Sequence, residues 1–303
     1  MRLSIWPNPA RPVQEFLELA RFADAEGWYG MWFADHYMPN TADDSTTGGD
    51  THEAWAILPA LVAVTERIRI GPLVSPTTIH HPALLANRAA SLDHLSGGRF
   101  VLGLGAGWQA NEHRAYGFDL LEPKQRVDRF AESLAIITSL LNDDRTDHSG
   151  HHFEITDAPC EPKPIQSPLP ILIGTGGKRM LRLLARYAHE WNSWGTPDTV
   201  AGVATELERA CEAEGRDRSE IWTSAQALFC MTDDSDQIEK LQTLLPADRT
   251  IIGSAEHIID EIGRYRDLGV DEIIVPDFTL GAAFSERLEN YGRFTTEIMS
   301  AVS

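Results

Sequence analysis

Positive charge is scarce in this chain: 26 Lys and Arg stand against 45 Asp and Glu, a formal net charge of −19. A surface that acidic repels phosphate backbones and anionic headgroups, which argues against a nucleic-acid or membrane partner. Cysteine is scarcer still. Cys160, Cys211 and Cys230 form no Cys-x-x-Cys pair, and an odd count excludes a complete disulfide framework. A reduced cytoplasm is the expected setting. The opening residues MRLSIWPNPARPVQ lack the continuous apolar stretch of a signal peptide. No apolar run nears the roughly 20 residues of a membrane-spanning helix. Several catalytic signatures are missing as well. There is no G-x-S-x-G elbow, and HEAWA at 52–56 lacks the second histidine of a zinc-protease helix. His80-His81 and His151-His152 are adjacent pairs rather than i, i+4 pairs, so they read as loop or cap residues and no metal site is expected.

What is present is a soluble, core-forming chain of 303 residues, with 43% hydrophobic and 23% charged residues. Short apolar runs alternate with helical patterns along its whole length. Strands are expected at 3–6, 29–34, 68–74, 99–107, 170–176, 190–194, 221–231 and 271–278, with helices between them. DDRTDHSGHHFEI before the fifth strand reads as a small hairpin, followed by a proline-rich extended connection, APCEPKPIQSPLP. NEHRAYGFDL after the fourth strand reads as irregular, because Gly117 interrupts it. Eight strand–helix units without a linker predict one α/β domain over 1–303: a (β/α)8 barrel with a short insertion before strand five.

In such a barrel, chemistry sits at the strand C-termini. The distinctive residues fall there: Trp6, Asp35-His36, Leu73-Val74, Gly105 and Gly107, Gly174 through Gly177, Trp194, and Asp277-Phe278. GTGGKRM at 174–180 suits a phosphate, since its glycines admit close approach and the following helix offers free amides. Lys178, Arg179 and Arg182 are expected to add positive charge there. GLGAGWQA at 103–110 formally fits a dinucleotide G-x-G-x-x-A, but it follows the fourth strand, where the fingerprint belongs after the first of its unit. A glycine-lined strand end facing a flat ligand is the better reading.

Five stretches in order, ADAEGWYGMWFADHYMP, TERIRIGPLVSPTTIHHPALLA, LDHLSGGRFVLGLGAGWQANEHRAYG, PILIGTGGKRMLRLLARYAHEWN and YRDLGVDEIIVPDF, make the chain resemble the luciferase-like flavin and deazaflavin oxidoreductases. The resemblance implies a luciferase-like TIM barrel, usually dimeric, with the coenzyme ring across the strand C-termini. It implies a non-prolyl cis peptide at Leu73-Val74 and a phosphate site at Gly174, Thr175, Gly176 and Gly177. Asp35 and His36 are then the catalytic pair against the ring, where imidazole can exchange a proton as hydride moves. Members that oxidise sugar phosphates carry a carboxylate where this chain has Trp108. An indole is no general acid or base, so an apolar, aromatic-walled pocket is expected instead, built from Trp108 with Trp6, Trp32, Trp55, Trp194 and Phe278. Glu112, one helical turn past Trp108, is the candidate replacement for the missing acid.

The resulting expectation is an oxidoreductase using coenzyme F420, the 8-hydroxy-5-deazaflavin, on a small carbonyl, alcohol or activated alkene. The alternative is a two-component monooxygenase using reduced FMN, for which a separate reductase would supply the cofactor. A metallohydrolase barrel and a non-catalytic flavin-binding module are weaker readings. Asp35-His36 favours the deazaflavin, and a homodimer is the expected assembly.

Overall fold

A computed structural model describes residues 1–302. Its strands run β1 (Arg2–Trp6), β2 (Gly30–Phe33), β3 (Arg69–Pro72), β4 (Ser75–Pro76), β5 (Leu102–Gly105), β6 (Thr146–Ser149), β7 (Glu154–Ala158), β8 (Ile171–Gly174), β9 (Glu190–Trp194), β10 (Trp222–Gln226), β11 (Leu228–Met231), β12 (Thr250–Gly253) and β13 (Glu272–Pro276). Nine of them form one sheet in the order β3-β2-β1-β13-β10-β9-β8-β5-β4, and every pairing recorded within it is parallel. β3 and β4 are two halves of one stave, broken at Leu73-Val74. The ring closes where Ile70 bridges Phe100 and accepts a hydrogen bond from the Val101 amide at 3.0 Å. The architecture is a (β/α)8 barrel.

All eight expected strands take their places as staves. The expected hairpin is the antiparallel pair β6–β7. Two elements had no counterpart in the periodicity: β12, which pairs parallel with β11, and the helix Ser235–Leu244 before it. That helix carries Ile238, Leu241 and Leu244 at helical spacing but buries none of its residues. The segment after β5 is not irregular. Ala110–Tyr116 is a helix, and Gly117, at φ +74°, ends it as a left-handed cap. The glycine that seemed to break the segment instead terminates a short helix.

Two apolar layers hold the barrel. The larger lies between the staves and the surrounding helices, where Phe16, Leu58, Leu85, Leu134, Leu181 and Ile262 meet the outward side chains of the strands. The smaller fills the lumen with Trp6, Trp32, Ala34, Leu73, Val101, Leu172 and Ile274. At the N-terminal end the lumen is closed by charge. Arg69 pairs with Glu190, while Glu272 accepts the indole N–H groups of Trp32 at 2.8 Å and Trp222 at 3.2 Å. Burial pushes the Glu190 carboxyl above its ordinary range, against the pull of Arg69. The plug leaves the C-terminal mouth as the open end.

Candidate active site

A cavity of about 690 Å³ opens at that mouth. Its walls include Trp6, His36, Leu73, Val74, Gly105, Gly107, Trp108, Glu112, Gly174, Thr175, Gly176 and Trp194, which is most of the set expected from sequence. It also takes in Asn192, Ser193, Gln226, Met180, Val203 and Arg249, which sequence reasoning did not single out. Asn192 and Gln226 could have been found by register. Both lie on the inward side of strands at the end where ligands bind, and Asn192 Nδ2 donates to Gln226 Oε1 at 2.6 Å.

Asp35 and His36 part company immediately after β2. Asp35 is fully buried and lines no part of the cavity. Its Oδ2 accepts from Ser75 Oγ at 2.5 Å, from Trp55 Nε1 at 3.1 Å, and meets His80 Nε2 at 2.8 Å. Its Oδ1 is buried without a partner. Burial alone would raise this carboxyl, but the hydrogen bonds and charge of His80, with Ser75, hold it below the usual carboxylate range. Expected as a ring contact beside the catalytic imidazole, Asp35 instead sits behind the wall and ties β4 to the end of β2. Adjacent residues of an extended chain point to opposite sides, which is why the two separate. His80, read as a loop or cap residue, belongs to this cluster. His81 is the helix cap, accepting the Ala83 amide at 3.2 Å.

His36 faces the cavity. Its Nδ1 lies 2.9 Å from Glu112 Oε1, and the other carboxylate oxygen accepts the Tyr37 amide at 2.9 Å. Glu112 is 1% exposed. A carboxylate only accepts, so against Glu112 in that form Nδ1 is the donor, and Nε2 is the ring nitrogen left facing the cavity side of the contact. Glu112 reaches this position because the loop after β2 is stitched to the helix Ala110–Tyr116. Gln109 Nε2 donates to Met38 O at 2.9 Å, and Asn111 Nδ2 donates to Pro39 O at 3.0 Å and Ser45 O at 3.1 Å. Trp108, 58% exposed, stands edge-on to His36 at 5.6 Å on the cavity rim.

The floor is the break between β3 and β4. The Leu73-Val74 peptide is cis, as the resemblance implied. Val74 lies against glycines: a Cβ on Gly105 would sit 2.7 Å from Val74 Cγ2, and one on Gly103 would sit 2.0 Å from Pro72 O. Only glycine lets β5 come this close. Gly107 holds φ +87° with Thr78 beneath it, again a glycine position. Opposite stands an aromatic wall, with Trp6 edge-to-face on Trp194 and tilted on Phe278, both at 5.2 Å. Phe278 itself backs Trp6 and does not line the cavity, and neither do Trp32 and Trp55, which are buried in the lumen and beside Asp35.

Gly174, Thr175 and Gly176 line the far end, before the helix Lys178–Tyr187. Gly177, expected among them, lies outside the lining. It is the helix N-cap, its amide donates to Thr175 Oγ1 at 3.2 Å, and a Cβ there would meet nothing within 4 Å. The basic cluster does not serve this turn either. Lys178 pairs with Glu206 at 3.3 Å, Arg179 with Asp128 at 2.5 Å and Arg182 with Glu214 at 3.6 Å, all outward. An acidic surface has claimed the three cations. The cavity's one Lys or Arg, among the described residues, is Arg249.

Strand-end glycines, a broken third stave and a cavity at the C-terminal mouth define an enzyme barrel with its working face where flat ligands can lie on backbone. Residues 1–248 match the luciferase-like monooxygenase family, and the chain belongs to that family. It is 34% identical over 178 residues to an F420-dependent glucose-6-phosphate dehydrogenase of Amycolatopsis mediterranei, a match covering 58% of this chain and half of that relative. A protein of the same description from Microbacterium testaceum is 26% identical over 298 residues, 87% of each chain. Among solved structures, an F420-dependent secondary alcohol dehydrogenase with an F420-acetone adduct superposes with a TM-score of 0.85 at 19% identity, over 100% of this chain and 99% of that one. At that identity the likeness is one of fold.

Proposed function

We propose that this protein is a coenzyme F420-dependent oxidoreductase moving a hydride between the deazaflavin and a small, uncharged alcohol, carbonyl or activated alkene. The observation that carries the reading is the cavity-facing His36 held by a buried Glu112, beside a glycine-backed floor. The residues present fit the coenzyme. The Leu73-Val74 bulge and Gly105 offer a flat backbone bed for fused rings, and the Thr175–Gly176 turn offers amides to a phosphate. When bound, the deazaflavin supplies the hydride carrier.

The chain's own residues do the rest. Nε2 of His36 exchanges a proton with the substrate's oxygen, and Glu112 fixes the tautomer and stabilises the imidazolium. Leu73, Val74, Gly105 and Gly107 back the ring, while Gly174, Thr175 and Gly176 receive its tail. Trp6, Trp108 and Trp194 exclude water and favour apolar substrate bodies. Asp35 serves by holding the bulge through Ser75 rather than by touching the reaction. Among the described residues Arg249 is the one Lys or Arg on the cavity, and this scarcity of fixed positive charge supports an uncharged substrate over a sugar phosphate. The whole chain acts as one barrel domain, in the cytoplasm, as a homodimer; no helix among the described residues is long and apolar enough to cross a membrane.

Titration with the deazaflavin coenzyme and with FMN, read by fluorescence quenching, tests the proposal. Preferential binding of the deazaflavin, and its reduction by a secondary alcohol, are the expected results. Binding of FMN alone would move the protein to the two-component monooxygenases, with a separate reductase as partner.

A further inference from the structure

The coenzyme tail brings negative charge into a protein of net charge −19, to a turn whose neighbouring cations are all paired elsewhere. Backbone amides supply hydrogen bonds there but only partial charge. Arg249 lines this cavity together with Thr175, Gly176, Met180 and Val203. Its partner is its own neighbour: Nε lies 3.3 Å and Nη2 3.2 Å from the carboxylate of Asp248, and both side chains are about half exposed. An exposed pair of this kind is weak and gives way readily to a stronger anion. The backbone beneath it is fixed, however. Asp248 O accepts the Thr196 amide at 2.9 Å and Thr199 Oγ1 at 2.8 Å, and Thr250 begins β12 immediately after. A guanidinium on a fixed backbone, with a partner it can release, is equipped to take a phosphate through two N–H donors.

We infer that Arg249 is a coenzyme-binding residue, leaving Asp248 to pair with the phosphate held at the Thr175–Gly176 turn. The inference rests on the functional reading above for the coenzyme's nature, yet the deazaflavin's diester and the FMN monoester both present anionic phosphate oxygens to a guanidinium. It also gives the segment between Ser235 and β12 a role: it brings a cation from beyond β11 to the mouth beside the end of β9.

The test measures affinity by fluorescence quenching for the deazaflavin coenzyme, for FMN, and for the deazaflavin riboside that lacks the phosphate. Arg249→Ala should weaken whichever phosphate-bearing molecule the unaltered protein binds by roughly ten- to thirty-fold, as expected for loss of a charge-assisted contact. It should leave the riboside's affinity unchanged, and Arg249→Lys should recover part of the loss. Arg179→Ala, an outward pair with Asp128, should bind like the unaltered protein. Unchanged affinity in Arg249→Ala overturns the inference. So does an equal loss for the riboside, or an equal loss in Arg179→Ala. If the unaltered protein binds neither coenzyme, the functional reading fails and this inference fails with it.

Discussion

His36 meets the cavity with one ring nitrogen already committed, and that commitment sets its chemistry. With Nδ1 engaged by Glu112 Oε1 at 2.9 Å, Nε2 is the ring nitrogen left to exchange a proton with a ligand. His36→Ala should reduce turnover by about 10²–10⁴-fold with the fold intact, the usual contribution of a general acid–base group. Glu112→Gln should cost less, because the amide can still accept from Nδ1–H but cannot stabilise the imidazolium. Its mark is a displaced acid limb in the pH profile of kcat/KM, and an unmoved profile would remove Glu112 from the mechanism. Asp35 calls for a different measurement. Its pKa is lowered in the folded state, so the stability it contributes is present above the ordinary carboxylate range and is lost as pH falls through the depressed folded value. Chemical denaturation from neutral pH down to acid should therefore show a shallower loss in Asp35→Asn than in the unaltered protein. Equal slopes would mean that the His80 contact does not hold the charge.

At the scale of elements, alternation of apolar runs and amphipathic helices gave away the staves, because each strand buries both faces and each helix keeps one stripe inside. Ser235–Leu244 sets only Ile238, Leu241 and Leu244 among polar residues and buries none of them, and TIIG of β12 is too short for its period to register. Ala110–Tyr116 escaped because Gly117 acts on what precedes it as a cap, a role invisible without the backbone angle. Closeness between elements was likewise hidden. Nothing in GLGLG tells which glycine touches which neighbour, yet a Cβ on Gly103 would meet Pro72 O at 2.0 Å while one on Gly177 would meet nothing. Gly103→Ala should therefore cost about 1–3 kcal/mol or more in urea denaturation, the range for forced overpacking. Gly177→Ala should cost a small fraction of that. Similar losses in the two variants would show that β5 is free to move away from the bulge.

Across the whole molecule, sequence order predicted which strand ends would share a mouth, since a barrel's topology brings them together whatever their spacing. It could not say which side chains point inward at the last position of each strand. Asp35 and Phe278 were therefore placed on the cavity wall, which neither lines, and Arg249, carried on a turn outside the barrel strands, was missed. Nor did it reveal the charged plug at the N-terminal end of the lumen. Arg69, Glu190 and Glu272 lie far apart in sequence and meet only when the ring closes. Glu190→Gln leaves the partly buried Arg69 without its nearest counter-charge, and should destabilise the protein by up to about 3–5 kcal/mol. A thermal or denaturant melt unchanged by that substitution would mean the plug is wetter than its burial implies.

Gln109 and Asn111 fasten the loop after β2 to the short helix after β5, so the imidazole and the carboxylate that orients it arrive on separately encoded segments. Anyone recombining such barrels should treat the two as a single inherited cassette. A chimera taking residues 34–50 from one parent and 107–117 from another would keep both His36 and Glu112 and still lose the register between them.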